Sequence, residues 1–153
     1  MLTVARPPRV FAAISQEDSH GHGRQGSTIV PVNLGGDVPQ FHGNIIFAER
    51  CQVESGAWWN RHKDISLIVQ CTDGSRRFKY PRQSQSCRIL RVDGRDSERR
   101  QKQLDEAFAA ISQKLQKHDV LFHCEQSFHR APVVAAAVMQ RLTGMLAQAG
   151  HYY

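Results

Sequence analysis

No stretch of the 153-residue sequence holds the run of about 18 apolar residues that a membrane-spanning helix needs. The opening, MLTVARPPRVFAAIS, lacks the order of basic, apolar and small residues that marks a secretion signal. Cysteine is scarce. Cys51, Cys71, Cys87 and Cys124 show no CxxC spacing and are too few for a disulfide scaffold of this length. These absences argue against a membrane span and a disulfide-stapled secreted module. They leave a reduced intracellular chain, expected in the cytoplasm or nucleus. Acidic residues are in deficit, 14 against 20 Lys and Arg, and the formal charge of +6 favours anionic partners. That charge is far from histone-like. A hydrophobic fraction of 41% is slightly low for a compact domain but well above a disordered composition. The length fits one domain.

Periodicity is also missing from residues 1–43, apart from VFAAI near the start and TIVPV near residue 30. The segments SQEDSHGHGRQGS and NLGGDVPQFHG are rich in Gly, Ser, Pro and His. Residues 1–27 therefore read as a flexible tail and 28–43 as an irregular lead-in. His20 and His22 form an HxH pair. With no further ligands nearby they read as a solvated loop, and no metal is expected.

Regular patterning begins at Asn44, so the domain is placed at 44–153. NIIFAE (44–49) reads as a strand, and QVESGAWWNRH (52–62) as a weak helix bearing Trp58 and Trp59. ISLIVQC (65–71) is a β-branched run of the kind buried on both faces of a sheet. TDGS (72–75) reads as a turn, RRFKY (76–80) as an edge strand ended by Pro81, RQSQS (82–86) as loop and CRILRV (87–92) as a strand. After the turn DGRD (93–96), residues 97–117 form the clearest helix. Leu104, Phe108, Ile111 and Leu115 make its apolar stripe, and Asp96 or Ser97 can cap it. VLFHC (120–124) is a second buried strand, and APVVAAAVMQRLTGM (131–145) a helix with Pro132 in its first turn. This order predicts an α/β fold, a central mostly parallel sheet flanked by helices.

The segment from Val120 to Pro132, VLFHCEQSFHRAP, carries the chemistry. A cysteine ends a buried strand, five residues follow, and an arginine opens a helix. A loop in that position can turn several backbone N–H groups toward an anion. The helix dipole adds positive potential, and Arg130 supplies a planar fork for two phosphate oxygens. A cysteine in such a cradle feels the same field, which favours its thiolate.

This HCx5R pattern resembles the protein tyrosine phosphatase superfamily, in its atypical dual-specificity branch. The resemblance covers some 110 residues, from Asn44 onward. It includes IVQCT (68–72) before a variable turn, RILRVD (88–93) and VLFHC. It implies a cysteine-phosphatase fold that is short at its C-terminus, with about 20 residues after Arg130 and one sheet face open to poor cover or a partner. It assigns Cys124 as nucleophile and Arg130 as phosphate clamp. Glu125, Gln126, Ser127, Phe128, His129 and Arg130 would form the phosphate loop, and His123 would orient the cysteine. Asp93, 31 residues before Cys124, takes the place of the general acid. Asp96 is the alternative, with helix capping as its simpler role. Cys71 sits where some members hold a thiol that forms a disulfide with the nucleophile, although a plain buried cysteine is the simpler reading. Cys51 and Cys87 read as core or half-buried thiols. No cofactor is implied.

Three positions depart from the family. Ser127 stands where glycine is usual, Ala131 where Ser or Thr is usual, and Glu125 puts a carboxylate beside the nucleophile. Ala131 removes a hydroxyl that stabilises the departing thiolate, so slow phosphocysteine hydrolysis is expected. Basic residues cluster at Arg76, Arg77, Lys79 and Arg82, and at Arg88, Arg91, Arg95, Arg99, Arg100 and Lys102. Around a phosphate pocket they would favour anionic substrates. The expectation is a phosphatase for phosphotyrosine or phosphoserine/threonine proteins acting through a phosphocysteine. The alternatives are a phosphate-binding pseudophosphatase, or a phosphatase for RNA 5′ ends or phosphoinositides. A rhodanese-type domain is disfavoured by the upstream aspartate.

Overall fold

The computed structural model describes residues 9–10, 13–14, 28–33, 41–125 and 129–148. Strands β1 (Arg9–Val10), β2 (Ala13–Ile14) and β3 (Thr28–Asn33) precede β4 (Asn44–Ala48). Two short helices follow, α1 (Arg50–Val53) and α2 (Gly56–Asn60), then β5 (Ile65–Gln70) and β6 (Arg88–Arg91). The long helix α3 (Ser97–Leu115), strand β7 (Asp119–His123) and helix α4 (Ala131–Gln148) complete the order.

The strands join in the order β1-β3-β4-β7-β5-β6, with β2 also on β3. Strands β4, β7, β5 and β6 are mutually parallel, whereas β3 runs antiparallel to β4, β1 and β2. The expected mostly parallel sheet is therefore a mixed one. The connection from β3 to β4 spans ten residues, and a parallel crossover needs roughly a dozen or more, so the pair turns back on itself. The lead-in expected to be irregular over 28–43 thus supplies a strand of the sheet.

Side chains alternate across the parallel half. Ile45, Phe47, Val120 and Phe122 join the buried residues of α3 and α4 on one face. Ile46, Ala48 and Leu121 join Val53, Trp58 and Trp59 on the other. Both faces are covered, which is why β4, β5 and β7 read as continuous apolar runs. Along α3, Leu104, Ile111 and Leu115 are buried and Phe108 packs against them. On α4, Val134, Val138, Met139 and Leu142 are buried, so that face is not left open.

Two further expectations change. The single helix over 52–62 is two, because Ser55 restarts the chain as an N-cap, its side chain accepting from the Trp58 amide at 3.3 Å. Residues 76–80 form no strand. Phe78 and Tyr80 pack against the tryptophan side of the sheet instead, and Phe78 meets the His123 ring edge-on at 4.6 Å between centroids.

Candidate active site

Parallel α/β sheets gather their sites beyond the carboxyl ends of the strands. Here three such ends are stapled together. The Cys71 amide donates to the His123 carbonyl at 2.8 Å, the Val92 amide to Gln70 at 2.9 Å and the Gly94 amide to Cys71 at 3.3 Å. The segments that follow β5, β6 and β7 therefore leave the sheet side by side. They bring Arg76, Arg95, Cys124, Glu125, His129 and Arg130 around one cavity of about 330 Å³.

Cys124 is buried and follows the last residue of β7. Arg130 directly precedes α4, and its carbonyl accepts from the Val134 amide at 3.2 Å. The structure thus brings the expected nucleophile and clamp together. His129 is exposed and lines the same cavity. Gln126, Ser127 and Phe128 lie outside the described residues, as do His20 and His22. Ala131 is buried and offers no hydroxyl.

Glu125 lines the cavity but is tied elsewhere. Its Oε1 pairs with Arg50 Nη1 at 2.8 Å. Arg50 also bonds Glu54, donates to the Arg77 carbonyl and lies over the Phe78 ring at 5.3 Å. The bond to Glu125, and then that to Glu54, hold the Arg50 guanidinium firmly charged. Neither Arg50 nor its link to the segment after β7 was legible in the sequence, because 75 residues separate the pair.

His123 is fully buried. Tyr80 Oη lies 2.6 Å from its Nε2, and Gln70 Nε2 donates to Tyr80 Oη at 2.7 Å. Burial pushes the imidazole pKa down to about 4, opposed in part by the Cys124 backbone and by Glu125. His123 is accordingly neutral at physiological pH. The tyrosine hydroxyl, which accepts from Gln70, thus links the neutral imidazole through Nε2 to the Gln70 side chain. Tyr80 falls in the segment expected to be an edge strand, so its role was missed.

Asp93 is buried at the end of β6 but does not line the cavity. Its Oδ1 accepts from the amides of Arg95 (2.7 Å) and Asp96 (3.3 Å), and its Oδ2 pairs with Arg99 at 3.2 Å. It holds its own turn together. That turn nevertheless abuts the site: a Cβ on Gly94 would lie 2.5 Å from the Arg130 Cβ. Asp96 caps α3, accepting from the Arg99 amide at 2.9 Å, and that bond holds its carboxyl below the usual range. Asp73, after β5, is likewise lowered, first by its bonds from Ser75 and then by Arg130 and Arg95.

Cys71 is buried next to the site. Gln70 and His123 are register partners, so Cys71 and Cys124 are the next residues along adjacent strands. Burial, and then the neighbouring Cys124, raise the Cys71 thiol well above its usual range. Cys51 is exposed, against the expectation of a core or half-buried thiol, and Cys87 is half-buried. No helix among the described residues is long and apolar enough to cross a membrane, and none of their His, Cys, Asp and Glu side chains form a metal-binding cluster. The chain matches no family model, no curated protein and no solved structure.

Proposed function

We infer that this chain is a cysteine-dependent phosphatase acting on phosphomonoesters, with phosphotyrosine or phosphoserine/threonine in proteins as its substrate class. One observation carries the reading: Cys124, at the end of a buried strand, shares a single small cavity with Arg130 and two further arginines. The Cys124 sulfur attacks phosphorus, the S–P bond forms, and the P–O bond to the leaving group breaks. Arg130 holds two of the phosphate oxygens through this step. Water then attacks the phosphocysteine, releasing phosphate and restoring the thiol.

The leaving oxygen needs a proton, and Asp93 is the acid to give it. Asp93 does so only if its carboxylate leaves the Arg95 and Asp96 amides and turns into the cavity. Without that movement, substrates with good leaving groups turn over and alkyl phosphates lag far behind. The test is hydrolysis of an aryl phosphate without added metal. The wild-type chain is expected to turn over and to be inhibited by vanadate. Cys124→Ser is expected to retain less than about 1% of that rate, in line with losing a covalent nucleophile. Equal rates for the two proteins would end the reading.

A second reading, a phosphate-binding module with little turnover, draws on the same particulars: the engaged Asp93 and the missing hydroxyl at Ala131. It predicts phosphopeptide binding that Arg130→Ala abolishes, with no labelled phosphocysteine in an acid quench.

A further inference from the structure

The cavity above Cys124 carries more positive charge than one phosphate needs. Arg130 alone supplies a two-pronged clamp. Arg76, from the segment after β5, and Arg95, from the turn after β6, line the same space. Neither is in an ion pair among the described residues, whereas Arg50, Arg99 and Arg141 all have carboxylate partners. The nearby acids offset only part of this charge: Glu125 Oε1 pairs with Arg50, while the Asp73 carboxylate, held by Ser75, also attracts Arg130 and Arg95. At about 330 Å³ the cavity is at the small end of ligand sites, so whatever meets all three arginines is compact.

We propose that Arg76 and Arg95 form a second anion subsite beside Cys124 and Arg130. The substrate then carries a second phosphate adjacent to the one attacked, joined through a bridging oxygen or borne on a neighbouring carbon. This rests on the reading of Cys124 and Arg130 as the phosphate centre, and puts a small molecule with adjacent phosphates in place of a phosphorylated protein as the preferred substrate. The second phosphate binds in the ground state and fixes which phosphate faces the sulfur. Arg76 and Arg95 are separated by 19 residues and sit on different loops, so the subsite exists only because β5 and β6 end together.

Calorimetric titration of the full chain, as wild type and as Cys124→Ser, with inorganic orthophosphate and inorganic pyrophosphate tests this. Pyrophosphate is expected to bind about tenfold or more tightly than orthophosphate, the gain expected of added charge-assisted hydrogen bonds. In Arg76→Ala/Arg95→Ala that ratio is expected to fall to within about twofold, the loss of those same bonds. A ratio near one in the parent chain, or one unchanged in the double variant, overturns the subsite while leaving the phosphate centre standing. Failure of orthophosphate itself to bind overturns both. Two further arms separate sources of the chemistry. A nucleoside diphosphate or a vicinal inositol bisphosphate that binds in the same Arg-dependent way names the source. A peptide phosphorylated on two separated residues that gains this tightening when pyrophosphate does not overturns the compact-ligand proposal.

Discussion

At the scale of single residues, His123 shows how burial and hydrogen bonding decide chemistry. Its ordinary pKa of 6.5 falls to about 4 in the folded chain. Between those values the unfolded chain binds the extra proton, so stability rises with pH over this window and levels off above it. Acidification from neutral pH to about 4 is expected to remove about 3 kcal/mol through this group. His123→Gln, followed by urea denaturation across that range, is expected to flatten the slope. Tyr80→Phe is expected to cost about 1–3 kcal/mol, because Nε2 then loses its buried hydrogen-bond partner. Cys71 offers a second residue-scale test. Peroxide is expected to convert Cys124 to the sulfenic acid, which the Cys71 thiol then attacks, forming a disulfide and releasing water. Activity should return with dithiothreitol. In Cys71→Ala it should not, and equal recovery in both proteins would assign Cys71 a packing role alone.

At the scale of elements, β7 carries the site and is buried on both faces. Phe122 is wholly buried between β4 and β5, so Phe122→Ala is expected to cost about 3–5 kcal/mol, measurable as a lowered denaturant midpoint. The turn after β6 supports the site from the side. Gly94→Ala would set a Cβ 2.5 Å from that of Arg130, and is expected to weaken orthophosphate binding about tenfold or more by shifting the clamp. Elements of this kind were legible because their signals are local. β5 and β7 announce themselves as apolar runs, and α3 by its stripe and cap. The segment around TIVPV reads as an irregular lead-in because the six-residue strand TIVPVN, with a proline near its centre and Gly-rich sequence around it, gives little alternation. Pro31 is exposed there and sits opposite Asn44 in the β3–β4 register. RRFKY misled for the opposite reason: two aromatic residues at strand spacing are spent on covering His123 and the tryptophans rather than on pairing.

At the scale of the whole molecule, the candidate site is made by three strand ends meeting. Cys124 and Arg130 were legible as a motif because one loop holds both. Arg76 and Arg95 were visible only as members of basic clusters, since their convergence depends on strand order. Arg50 carried no signal at all. Of the ten clustered basic residues, Arg76 and Arg95 reach the cavity, while Arg99 is spent on Asp93 and Arg100 on the Gly94 carbonyl. The positive charge is thus partly structural and partly concentrated over the sulfur. Binding of small anions should therefore weaken as salt rises, since part of the attraction is screened.

The central claim is that phosphate is transferred to Cys124. Acid quench of the wild-type chain during turnover of an aryl phosphate, followed by peptide mass spectrometry, tests it most directly. A phosphoryl adduct on Cys124, absent in Cys124→Ser and depleted in Arg130→Ala, is the predicted result. Turnover of the aryl phosphate with no adduct on Cys124, undiminished in Cys124→Ser, would contradict it.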